Sequence, residues 1–131
     1  ARRLPDFYDH SFIVFPLAKA YEGFLKYFFF NMHIITKERY MSRDLRIGRV
    51  FNPDLPEKFR GDEWIFDAVA HLCSRPMAQE MWDIWLAGRN HLFHYFPDER
   101  HVVSFEESGA LVKQFLHVME RALACQIQTR L

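Results

Sequence analysis

Arg89 and His94 stand five residues apart in Arg89-Asn90-His91-Leu92-Phe93-His94, near the end of a stretch that reads as a helix. An imidazole exchanges a proton near neutral pH, while a guanidinium stays charged and grips two phosphate oxygens in a fork. Those groups suit cleavage of RNA by attack of a 2′-hydroxyl on the adjacent phosphate, because the substrate brings its own nucleophile. The protein then supplies proton transfer and positive charge for the phosphorane, and the chemistry needs no metal. Pro97 stops the helix soon after. His94 therefore falls in the last turn, where the negative end of the helix dipole favours the imidazolium, the form a general acid requires.

Residues five apart on a regular helix diverge by about 140°, so Arg89 and His94 do not share a face. Three arrangements bring both to one phosphate: a wrapped Arg side chain, a distorted last turn, or a second subunit that completes the cleft. Asn90 lies four residues before His94 on the same face, with Asp83 below them, and can orient the imidazole. A plainer reading puts Arg89 on the face of Trp85 or Trp82 and leaves His91 and His94 as polar residues of a helix end. His91, His94 and His101 lack a metal-ligand pattern, no Gly-rich phosphate loop exists, and no Ser or Cys has a base at motif spacing. Neither a metal nor a cofactor is expected.

The elements that position these groups are helical. From about Phe15 to Ile35, with Pro16 in the first turn, one thin polar stripe of Lys19, Glu22, Lys26 and His33 interrupts an otherwise apolar helix. Such a helix is central to a bundle or shared with a second subunit. Glu22 and Lys26, four apart, are a surface ion pair or polar groups turned toward a site. Between Thr36 and Arg49 the pattern gives short helical turns. There Arg39, Arg43 and Arg46 recur on one face, with Lys37 and Arg49 nearby, either as a solvated face or as contacts to an RNA backbone.

Asn52-Pro53-Asp54-Leu55-Pro56 is a loop. Asp62 to Cys73 reads as a helix, Ser74-Arg75-Pro76 as a stop and restart, and the next helix runs to about Tyr95, burying Met77, Met81, Ile84, Gly88, Leu92 and Tyr95. Ser104 and Glu107 form a capping box at the head of the last helix. Its apolar stripe is Leu111, Phe115, Met119 and Ala122 together with Val112, Leu116, Leu123 and Ile127. The tyrosine and phenylalanines of Tyr27 to Phe30 read as core or dimer interface rather than as a base-stacking platform. The expected architecture is one all-α domain over 1–131, a bundle of four main helices with short helical insertions.

Composition agrees with a packed globule: half the residues are hydrophobic and 17% aromatic. Seventeen basic and seventeen acidic residues leave no net charge, so attraction to a polyanion must come from uneven placement. Cys73 and Cys125 sit in apolar helical patterns and read as buried free thiols of a reducing compartment rather than a disulfide. Lys19, Glu22 and Lys26 break the apolar run from Phe12 to Ile35, which argues against a membrane span.

Ala87-Gly88-Arg89-Asn90-His91-Leu92-Phe93-His94-Tyr95-Phe96-Pro97 resembles the R-x4-H motif of HEPN domains, the higher eukaryote and prokaryote nucleotide-binding helical family, including its frequent Asn after the Arg. Phe12 to Pro16 and Lys19 to Lys26 are similar to the first helix of the HEPN domain in RNase LS-type toxins. The resemblance implies an up-and-down helical bundle and a metal-independent endoribonuclease of a toxin-antitoxin system. It also implies a cytoplasmic homodimer whose two Arg-His pairs line one cleft, held off by a cognate antitoxin. Within that toxin group a glutamate ahead of the motif joins the site, and Glu22 matches it. The toxins carry further domains ahead of this one; an excised C-terminal domain and a free-standing relative both fit. A HEPN-like binding module that docks an antitoxin or a nucleotidyltransferase is the alternative.

Overall fold

The computed structural model describes residues 10–60, 64–93 and 104–130. Four main helices carry the fold: α1 (Ser11–Asn31), α4 (Ile65–Leu72), α5 (Arg75–Phe93) and α6 (Phe105–Arg130). Two short helices, α2 (Lys37–Met41) and α3 (Ile47–Val50), and a 3-10 turn at Glu57–Phe59 lie between α1 and α4. No strand occurs among the described residues. The chain is an all-α bundle in which α1 packs on α5 and α6, and α5 also packs on α4 and α6.

Helix α1 buries Val14, Tyr21, Leu25, Phe28 and Phe29 on one helical face, with its C-cap Met32 buried beyond them. Their rings meet those of other elements. Tyr21 lies edge-on to Phe115 with centroids 5.0 Å apart, and Phe29 contacts Phe51, which contacts Phe66 in turn. The Tyr21 hydroxyl donates to the Met81 carbonyl at 2.8 Å, tying α1 to α5 inside the core. Burial, and secondarily the charge of Glu80, push this phenol well above its usual range, so it remains a donor. Gly88 lets α5 approach closely: a Cβ there would lie 2.8 Å from Phe115 Cζ and 3.4 Å from Ala18 Cβ.

Helix α1 departs from its expected bounds at both ends. It begins at Ser11, so Pro16 lies beyond the first turn and withholds an N–H from the Phe12 carbonyl, on the exposed side of the helix. It ends at Asn31, and His33 has left the polar stripe for a left-handed conformation with φ 59°. The hydrogen bonds explain why: His33 N–H donates to Phe30 O at 3.0 Å and Ile34 N–H to Phe29 O at 2.9 Å, the paired bonds of a Schellman stop. Glycine is the usual residue at that position; His33 holds it here.

The other boundaries follow their caps. Thr36 Oγ1 accepts from Arg39 N, Ser74 Oγ from Met77 N and Ser104 Oγ from Glu107 N, each satisfying a donor in a helix's first turn. The restart at Ser74-Arg75-Pro76 and the cap at Ser104 are thus present as expected. Helix α4 is shorter than expected, and Asp62 and Glu63 lie outside the described residues. On α5, Met77, Met81, Ile84 and Gly88 are buried, while Leu92 and Tyr95 lie outside the described side chains.

Helix α6 buries Leu111, Phe115, Val118 and Ala122. Val118 takes the place expected of Met119, which is half-buried, and Leu116, Leu123 and Ile127 of the second expected row face outward. The cysteines also differ from expectation. Cys73 and Cys125 form a disulfide, Cα atoms 5.8 Å apart, joining the end of α4 to α6 across 52 residues of chain. Both are half-buried at a point where helices from distant sequence meet, a proximity that spacing alone does not reveal. No helix among the described residues is long and apolar enough to cross a membrane.

Candidate functional site

An open groove of ≈ 1370 Å³ runs between α1, the 39–60 segment and α5. Arg39, Arg43, Arg46 and Arg49 line one wall. The expectation that Arg39, Arg43 and Arg46 share one helix face needs revision, because Ser42 ends α2 in extended conformation and its Oγ accepts from Asp44 N in a tight turn. Arg39 belongs to α2, Arg43 to the turn and Arg46 to the N-cap of α3. Folding nevertheless brings all three to the same groove.

Lys26 of α1, Arg60 and Arg89 complete the basic lining, so seven cations face two acids, Glu22 and Asp44, in a chain with no net charge. This concentration produces a local positive field of the kind that attracts a polyanion. Arg60 escapes a helical reading because it follows the 3-10 turn. Its Nε donates to Leu55 O at 2.8 Å and its guanidinium lies 4.0 Å from the centroid of Trp64, whose indole N–H donates to Asn52 O. The Arg60–Trp64 spacing of four was the only sequence signal for that contact.

At the other end, Glu22, Trp85 and Arg89 also line a smaller cavity of ≈ 250 Å³ floored by Ala18, Tyr21 and Phe115. The two hollows therefore meet at Glu22 and Arg89. Glu22 pairs with Lys26 at 3.4 Å, as one of its two expected roles has it, and also lines both hollows. The Arg89 guanidinium lies 5.2 Å from the Trp85 ring centroid. Trp85 stacks on Trp82 with centroids 5.0 Å apart, and Gly48 sits against its far edge, where a Cβ would come within 2.8 Å of Cη2. Arg89 is thus seated on a tryptophan that is itself wedged between α3 and α5.

Asn90 belongs to α5 by its backbone; its side chain, and all of His94, lie outside the described residues. The structure brings Arg89, Glu22, Arg39, Arg43 and Arg46 to one groove. Asp83 instead accepts from the Gln79 amide at 2.9 Å on the exposed side of α5. No family model, no curated protein and no solved structure matches the chain.

Proposed function

We propose that the chain is a HEPN-type endoribonuclease, the toxin of a toxin-antitoxin pair, that cuts RNA without a metal. The observation that carries this reading is the meeting of Glu22 and Arg89 in a groove lined by Arg39, Arg43 and Arg46. Arg89 neutralises charge on the scissile phosphate as the 2′-hydroxyl gives up its proton to water and its oxygen attacks phosphorus, breaking the bond to the 5′-oxygen. His94 gives a proton to the departing 5′-oxygen, Asn90 orients the imidazole, and Glu22 stabilises its charged form. The products are a 2′,3′-cyclic phosphate and a 5′-hydroxyl.

Dimerisation completes the cleft in this proposal, since residues five apart diverge by about 140° on a regular helix. The exposed row of Phe12, Phe15, Ala20, Gly23 and Tyr27 on α1 supports it by offering apolar surface to a second copy. The outward row Leu116, Leu123 and Ile127 on α6 offers a second apolar face, suited to an antitoxin. The proposal places the chain with RNA in the cytoplasm, where a bond such as Cys73–Cys125 is unusual and meets a reducing pool.

The Arg89 contact with Trp85 favours a second reading, a binding module whose arginine is structural. Sedimentation and RNA cleavage measured over one concentration series separate the two. A toxin gives cyclic-phosphate ends at a rate that follows dimer population. Cleavage by a monomer removes the composite site, and absence of cleavage at every concentration leaves the binding module.

A further inference from the structure

Three aromatic residues line the arginine groove among the described residues: Phe59, Trp82 and Trp85. Two of them are occupied. Trp82 is buried, and Trp85 is stacked on Trp82, edged by Gly48 and covered by the Arg89 guanidinium. Phe59 differs, for 51% of its surface is open although it sits in a groove rich in charge. Its Lys58 neighbour holds an ammonium 4.9 Å from the ring centroid. The next residue, Arg60, is half-buried and fixed by Leu55 O and Trp64. Adjacent residues thus present an exposed ring, with the Lys58 ammonium over one of its faces, and a held guanidinium.

A polyanion alone does not call for an open ring at this place; lysine or arginine would serve. A ring beside fixed cations suits a ligand that alternates flat apolar faces with phosphates, which is an unpaired nucleic-acid strand. In duplex RNA the bases are stacked on one another and offer no face to a side chain, so recognition goes through shape, 2′-hydroxyls and phosphates.

We propose that Phe59 and Arg60 form a subsite for one unpaired nucleotide, with the base stacked on the Phe59 ring and its phosphate on the Arg60 guanidinium. The inference rests on reading the groove as an RNA site. It restricts the substrate to single-stranded RNA or to loops and bulges with exposed bases.

Fluorescence polarisation with 2′-O-methyl oligonucleotides tests this separately from cleavage, because such a strand lacks the nucleophile and cannot be cut. The single strand should bind more tightly than its duplex. Phe59→Ala should weaken single-strand binding by ~5- to 160-fold, the range for loss of one aromatic–base stack, with little change for the duplex. Phe59→Trp should retain binding, and Phe59→Leu, which keeps apolar bulk without the π-face, should behave like the alanine variant. Melting temperatures close to wild type confirm that the variants fold.

Equal affinity for single strand and duplex, or wild-type affinity in both Phe59→Ala and Phe59→Leu, overturns the subsite while leaving the nuclease reading intact. Single-strand binding lost in those variants, in a protein that cuts no natural RNA, supports the subsite and removes the nuclease. Binding of neither strand, or tighter binding of a polyglutamate peptide, overturns the subsite together with the RNA groove.

Discussion

Gly48→Ala tests whether the Trp85 seat positions Arg89. The new Cβ would stand 2.8 Å from Trp85 Cη2 at the ring edge, and buried Trp82 stacked on a face of the indole restricts how it can shift. Forcing a methyl into a packed contact costs about 1–3 kcal/mol, and the helix preference of Ala over Gly offsets about 1 kcal/mol of it. A net loss near 1 kcal/mol lowers the melting temperature of a 131-residue chain by about 4 °C, from an unfolding entropy of about 2.1 cal/mol/K per residue. Gly23→Ala is the internal comparison: nothing lies within 4 Å of its Cβ, so the same substitution should raise the melting temperature by a similar amount. Displacing Trp85 also moves Arg89, and if Arg89 holds the scissile phosphate as proposed, its misplacement should cost ~10- to 100-fold in cleavage. Calorimetry and an RNA cleavage assay on both variants decide the matter. If Gly48→Ala melts with Gly23→Ala and cuts RNA at the wild-type rate, the wedge does not hold Arg89.

Three further outcomes are expected. Removing the disulfide with paired Cys73→Ser and Cys125→Ser substitutions reopens a 52-residue loop, costing about 4 kcal/mol in the chain-entropy account. That corresponds to about 15 °C of melting temperature, and an unchanged value under reductant would show that the bond carries no stability. Tyr21→Phe loses the bond to Met81 O, at about 0.5–1.5 kcal/mol. Because burial raises the Tyr21 pKa, its contribution is full below the unfolded value of about 10 and declines as pH rises above it. Denaturant midpoints above about pH 10 should therefore fall more steeply for wild type than for Tyr21→Phe, and parallel curves refute the assignment. Glu22→Gln should lower turnover more than RNA affinity; its exposed pair with Lys26 contributes about 0.5 kcal/mol or less, so equal activity in both proteins would return Glu22 to that minor role.

Local chemistry was legible in the sequence; tertiary coincidence was not. Ser74 ahead of Pro76 and Ser104 ahead of Glu107 announce helix starts because a cap needs only its own turn. The apolar steps on α5 give the buried side of that helix for the same reason. The angular position of His33 fits the polar stripe, whereas the stop depends on a left-handed residue that composition does not mark. The disulfide and the gathering of Arg60 with Arg39 and Arg89 depend on segments far apart in sequence. Phe59 carries no sequence signal, because an isolated ring in a three-residue turn belongs to no periodic pattern.

The most direct test of the account is RNA cleavage by the purified chain with EDTA present, compared with Arg89→Ala and His94→Ala. Arg89 is exposed on α5, so its truncation should leave helical content and melting temperature near wild type. Wild type should cut RNA with chelator present and leave 2′,3′-cyclic phosphate ends, and each variant should be inactive while folded. Cleavage by both variants at the wild-type rate would contradict this.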